Sequence, residues 1–174
     1  MSTKWVCIFF FLFSKGVGKL RVPITRNGYE KLLSELQRLQ KEDRPSVIKA
    51  IEEARGHGDI SENAEFEAAK EKQAIIEGKI LDLTDRVGNS QIVDLPLEVD
   101  GKVVFGCVVI VEDLETGEVS SYRLVGPYEA DVLEGTISVA SPIGKALIGR
   151  EQGDEVKVQT PKGIRNIEIL EIQP

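Results

Sequence analysis

From Thr25 to Val87 apolar side chains fall at spacings compatible with one face of an α-helix, in two successive stretches. Leu33, Leu36, Val47, Ala50 and Ala54 form a first stripe behind Thr25, a residue type suited to cap a helix N-terminus. Pro45 interrupts that stripe, and an interior proline costs a helix about 3 kcal/mol. Because Leu33, Val47 and Ala54 keep one heptad register across it, the pattern predicts a single kinked helix ending at Gly56 and Gly58. A second stripe of Phe66, Ala69, Ile76, Ile80, Leu83 and Val87 predicts a helix from Asp59 or Ser61 to Gly88. Each helix is roughly 45 Å long at 1.5 Å per residue and is not stable alone in water. The pattern therefore predicts an antiparallel helical hairpin, a coiled coil whose larger seam side chains contribute about 1.5–3 kcal/mol apiece. Ala50, Ala54, Ala64, Ala68 and Ala69 gather toward the turn, which predicts a slender tip.

After Gln91-Ile92-Val93-Asp94 the period changes. Val103–Val111 is rich in β-branched residues and predicts a buried strand; Glu118–Val125 predicts a second, after a turn at Thr116-Gly117. Ser141-Pro142 opens a short helix through Leu147, and Gly149 ends it. Glu155–Gln159 and Ile164–Ile172 form a hairpin around Pro161-Lys162-Gly163. The expected fold is thus α+β in two domains, a helical hairpin over residues 21–92 and a compact α+β domain over 93–174. Residues 1–20 stand apart, with an apolar run Val6–Phe13 flanked by Lys4, Lys15 and Lys19 and no acidic residue. That run is shorter than the about 20 residues a bilayer requires. It is expected to be an extension outside the domains, poorly ordered or the product of a start codon placed too far upstream.

The formal charge of −7 argues against a protein that holds nucleic acid mainly through Lys and Arg, and favours a partner protein or a metal. Cys7 and Cys107 have no C-x-x-C spacing and suit a reducing, cytoplasmic setting. His57, the single histidine, falls in the turn and reads as a solvated loop residue. The second domain has no histidine to activate its serines, and Gly144 and Gly149 lie in no phosphate-loop pattern. It reads as a docking module, with Ser141, Pro142, Gly144 and Leu147 as candidate contact residues.

Chemistry concentrates in Gly56-His57-Gly58-Asp59-Ile60-Ser61-Glu62-Asn63-Ala64-Glu65-Phe66. Asp59 and Glu62 are three apart, a spacing that puts Cβ atoms roughly 5–6 Å apart on one helix face. Two carboxylates so placed could share a divalent cation. The same spacing is a capping box, in which the first side chain caps the helix and the glutamate reaches back to it. The location at the far end of a long hairpin favours the cation. So does the crowding of Glu65 and Glu67, with only Arg55 and Lys70 close in sequence to compensate.

The stretch G-H-G-D-I-S-E-N-A-E-F resembles the tip motif of the bacterial Gre transcript-cleavage factors. S-P-I-G-K-A-L-I-G and G-D-E-V-K-V extend the resemblance, which runs from Val22 to the C-terminus. It implies an N-terminal coiled-coil domain and an FKBP-like C-terminal domain. The latter docks near the rim of the RNA polymerase secondary channel while the coiled coil reaches the active centre. Asp59 and Glu62 match the acidic pair that helps hold the polymerase's second Mg²⁺ for cleavage of the backtracked RNA 3′ end; Ser61 is placed to assist. The nascent RNA 3′ end and the DNA of the transcription complex are then met indirectly, by a monomer, without a membrane. Mg²⁺ typically takes one or two protein carboxylates plus phosphate oxygens and water, so this pair is half a site that a second protein completes. The factor is expected to act in trans and not as a nuclease. Residues 26–88 carry 11 Lys and Arg against 14 Asp and Glu, a balance of −3, which favours the GreA-like over the more basic GreB-like branch. Arg38, Lys41 and Arg44 are the candidates for a small basic patch. The rival expectations are a channel-binding modulator without cleavage stimulation and, from the FKBP-like fold, a peptidyl-prolyl isomerase.

Overall fold

The computed structural model describes residues 21–56, 60–160 and 163–174, with backbone alone for 56, 60–63 and 160. The expectations placed on residues 1–20, on His57, Gly58 and Asp59, and on Pro161-Lys162 lie outside the described residues. Strand β1 (Val22–Ile24) pairs in parallel with β2 (Ser90–Ile92), so the chain enters and leaves the helical region side by side. Thr25 caps helix α1 (Arg26–Arg38) as its sequence predicts, its Oγ1 accepting the Gly28 N–H at 3.0 Å.

The kink expected at Pro45 takes a specific form. A five-residue π-helical turn, Leu39–Asp43, joins α1 to α2 (Arg44–Gly56). Proline has no N–H to give the Lys41 carbonyl, and its ring would strike that carbonyl in a regular helix. The wider turn removes the conflict, and the Arg44 N–H reaches back five residues to the Leu39 carbonyl. The extra residue also moves the apolar seam. An unbroken heptad from Leu36 and Leu39 would bring Asp43, Ser46, Ala50 and Glu53 inward; shifted by one, it brings Arg44, Val47, Ile51 and Ala54. Val47, Ile51 and Ala54 are the buried ones. Ala50, expected on the stripe, is exposed, and Ile51 takes its place.

Helix α3 (Ile60–Asn89) packs against both preceding segments, with Leu36, Leu39, Val47, Ile76 and Ile80 in one buried cluster and Leu83 and Val87 against it. Arg44 pairs with Glu77 whereas Arg55 lies over Phe66, so the helices run antiparallel. At 30 residues α3 spans about 45 Å.

The C-terminal half is a five-stranded sheet in the order β5-β4-β3-β7-β6, formed by β3 (Val108–Asp113), β4 (Val119–Val125), β5 (Thr136–Ser138), β6 (Glu155–Thr160) and β7 (Gly163–Gln173). Only β4 and β5 pair in parallel. Alternate residues face one core, with Val109 and Val111 from β3, Leu124 from β4, Val156 and Val158 from β6, and Ile167 and Ile169 from β7. Helix α4 (Pro142–Leu147) packs on both edge strands, β5 and β6, so the sheet curls around it. A bulge opposite Ile110/Val111 adds to the curl. The predicted strand over 103–111 is shorter than expected. Gly106 has φ +91°, a left-handed conformation that breaks an extended run, and pairing starts only at Val108. The chain is therefore α+β and two-domain, as its patterning predicts.

Candidate functional site

The acidic segment sits where α2 ends and α3 begins. Ser61 and Glu62 are the second and third residues of α3, and Asp59 immediately precedes it in the chain. The Asp59 position and the Ser61 and Glu62 side chains lie outside the described residues, so the choice between capping box and cation pair is not made by contacts. What the structure describes is the platform behind them. The Arg55 guanidinium lies 5.6 Å from the Phe66 ring centroid, a cation–π contact joining the helices about one turn below the apex. Arg55 is thus stacked on the hairpin. Glu65 and Glu67 are both exposed.

Of the alanines near the turn, few lie in the seam. Ala50, Ala64 and Ala68 face solvent, and only Ala54 is fully within the seam, with Ala69 half-buried. Small residues on the outside reduce the girth of the hairpin, while Ile51 and Phe66 fill its inside.

The basic patch is largely neutralised. Arg38 donates to Glu35 at 2.7 and 2.9 Å and lies 3.1 Å from Asp43. Arg44 bridges the two helical arms to Glu77, its Nε at 2.7 Å from Oε1. Those hydrogen bonds hold the Glu35 and Glu77 carboxyls below the ordinary glutamate range. Lys41 remains exposed on the wide turn.

Of the four candidate contact residues, Ser141 and Pro142 reach the surface. Ser141 caps α4, accepting the Gly144 N–H at 3.0 Å and donating to the Ser138 carbonyl at 2.6 Å. Gly144 is buried, and Leu147 is fully buried in the sheet core. Neither can touch a partner directly, because α4 presents that face to β5 and β6; the pair holds the surface residues in place.

The sequence reading missed Glu129, whose carboxylate accepts from Thr25 at the start of α1 and so joins the two halves of the chain. The one signal for it is the Gly126-Pro127 punctuation just before it.

Two family descriptions match successive parts of this chain: "Transcription elongation factor, N-terminal" over residues 22–92 and "Transcription elongation factor, GreA/GreB, C-term" over residues 98–174. It is 67% identical over 153 residues to the transcription elongation factor GreA of Syntrophobacter fumaroxidans, covering 88% of this chain and 98% of that one. It is 50% identical over 155 residues to GreA of Neisseria meningitidis serogroup A, with coverages of 88% and 98%. Among solved structures, the GreA factor homolog 1 (Gfh1) protein of Thermus thermophilus aligns over 88% of this chain and 99% of that one at 38% identity, with a TM-score of 0.40. No described helix is long and apolar enough to cross a membrane. A helical hairpin with an acidic turn, followed by a curled sheet, matched along both halves at this identity, places the chain in the GreA/GreB family of transcription elongation factors.

Proposed function

We infer that this chain binds bacterial RNA polymerase as a monomer in the cytoplasm and stimulates the polymerase's own cleavage of backtracked RNA, without being a nuclease itself. The observation that carries the reading is the Asp59-x-x-Glu62 pair at the apex of a hairpin about 45 Å long. A pair of carboxylates so far from the body of the protein suits delivery into a narrow channel. The hairpin reads as an antiparallel coiled coil with one skipped residue at the wide turn. The sheet curled on α4 reads as an FKBP-like docking domain, with Ser141 and Pro142 among its outward contacts.

The donor set fits Mg²⁺, a hard cation that takes carboxylate oxygens together with phosphate oxygens and water. An ion held between factor and polymerase would supply activation of an attacking water and offset charge on the scissile phosphate. The chain's own contribution is placement. Asp59 and Glu62 would supply the oxygen ligands, Ser61, between them in sequence, would orient the RNA end, and the packed hairpin behind them would keep that group from retreating. Nascent RNA is met only at its 3′ end, and DNA only through the transcription complex.

The test is cleavage of labelled RNA in a backtracked complex over a range of Mg²⁺ concentrations, with the parent chain, Asp59→Asn and Glu62→Gln. Both variants are expected to bind polymerase as the parent does and to lose stimulation, with partial recovery at high Mg²⁺. Stimulation by both variants equal to the parent's would reduce the pair to a helix cap. A parent chain that binds without stimulating would make the protein a channel-binding modulator.

A further inference from the structure

We propose that the loop Gly126–Glu129 is a rigid joint that sets the direction in which the hairpin leaves the C-terminal domain, with Glu129 as the positioning residue. The inference rests on the reading above that the tip must be delivered to a distant centre. The Glu129 carboxylate accepts the Thr25 N–H at 2.9 Å, the Thr25 hydroxyl at 2.5 Å and, from its own loop, the Gly126 N–H at 2.9 Å. The same Thr25 oxygen accepts the Gly28 N–H at 3.0 Å, so one network caps α1 and anchors the sheet domain to it. Charge-assisted bonds of this kind are about twice as strong as neutral ones and fix direction as well as distance.

The fit leaves no room on either side. A Cβ on Gly28 would lie 2.0 Å from Glu129 Oε2, and a Cβ on Gly126 would lie 2.0 Å from the Pro23 carbonyl oxygen. A second contact grips the same loop from the other arm of the hairpin, where Arg86 near the end of α3 lies 5.5 Å from the Tyr128 ring centroid. The Val93 N–H donates to the Ile24 carbonyl at 2.9 Å and ties the outgoing chain to β1. The loop is thus held at the first turn of α1 and the last turn of α3, the two feet of one lever. A rotation of about 5° at these feet moves the apex about 4 Å over a 45 Å arm. Misplacing reacting groups by about 1 Å costs on the order of 100-fold in rate. The joint is where that accuracy is won or lost.

Spin labels test this directly in the full chain, with Cys7→Ser so that label attaches only at Lys72→Cys on the hairpin and Lys157→Cys on β6, both exposed positions. Cys107 is fully buried and takes none. The parent should give one narrow distance distribution. Glu129→Ala and Gly28→Ala should each widen it at least twofold, and the double variant no further, since removing the carboxylate relieves the Gly28 clash. Glu129→Gln, which keeps an acceptor for both N–H groups, should stay narrow and shows that the change is not loss of fold; unchanged amide exchange in β3 and β7 is the second control. In the cleavage assay Glu129→Ala should lose about 100-fold at saturation while half-saturating within threefold of the parent. Unchanged distance distributions in both Glu129→Ala and Gly28→Ala overturn the joint. Full stimulation by a Glu129→Ala chain with a widened distribution overturns its positioning role. If the parent does not stimulate cleavage, the functional reading falls, and the distances still decide whether the joint exists.

Discussion

Replacing Gly144 by alanine sets helix propensity against packing. Gly144 lies in α4 with an ordinary helical backbone, and in an exposed helix the change from Gly to Ala stabilises by about 0.5–1 kcal/mol. The structure reverses that sign. A Cβ on Gly144 would lie 2.1 Å from the Ser138 carbonyl oxygen and 2.9 Å from the Val139 Cα, both backbone atoms at the end of β5 that no rotamer change can clear. Ordinary contact begins near 3.4 Å, so α4 must retreat by more than 1 Å. The retreat lifts Leu147 out of the core, where it is 0% exposed, and disturbs the Ser141 cap. Overpacking of this kind costs about 1–3 kcal/mol, which outweighs the propensity gain. Amide exchange reads the result, because the β6 amides of Val156 and Val158 open with the sheet domain. A loss of about 2 kcal/mol should speed their exchange by roughly 30-fold. Gly78→Ala is the matched control. It changes the same residue type within α3, where nothing lies within 4 Å, and should stabilise the hairpin by about 0.5–1 kcal/mol. If Gly144→Ala proves neutral or stabilising as Gly78→Ala does, the tight seating of α4 on β5 is wrong.

The shifted seam predicts that Ile51→Ala destabilises the hairpin by about 2–5 kcal/mol in urea denaturation followed by circular dichroism, whereas Ala50→Ser changes it by less than about 0.5 kcal/mol. The opposite ranking would restore the unbroken heptad. Asp113 is buried in β3, with its carboxylate 2.5 Å from Arg165 Nε and accepting the Glu115 and Thr116 N–H groups. The Arg165 hydrogen bond, ahead of the two backbone bonds, holds its carboxyl below the ordinary aspartate value of 3.8. A lowered folded-state value means that this group's contribution is fully present above about pH 5 and is lost as pH falls through the lowered value. Asp113→Asn should therefore flatten the acid limb of the sheet domain's stability profile below about pH 4, measured by urea midpoints from pH 7 to pH 2, and an unchanged limb would count against the pair.

What the chain states locally, it states clearly. The helical spacing of apolar residues on either side of Gly56 demands two long helices, neither of which can bury its stripe without the other, so the hairpin follows from the residues alone. Thr25 and Ser141 announce their caps because a hydroxyl one residue ahead of a helix satisfies a free N–H wherever the helix goes. The acidic cluster of Asp59, Glu62, Glu65 and Glu67 is likewise a feature of one short segment of sequence. Pro45 announced a disturbance, but not that a wide turn would add a residue and hand the seam from Ala50 to Ile51. That choice depends on which stripe α3 offers in return. Gly106 ended a run of β-branched residues that reads as one strand, because the turn is stabilised by Leu124, 18 positions later, through the Gly106 N–H. The short strand β5 has only three residues and becomes a strand by pairing with β4. Leu147 and Gly144 read equally well as surface or core until α4 is laid across both edges of the sheet. Glu129 is one of 29 acidic residues, and the Gly126-Pro127 punctuation before it announces a turn but no partner. Its part is decided by Thr25, 104 positions away, a distance over which sequence carries no geometry and only the closed fold brings donor to acceptor.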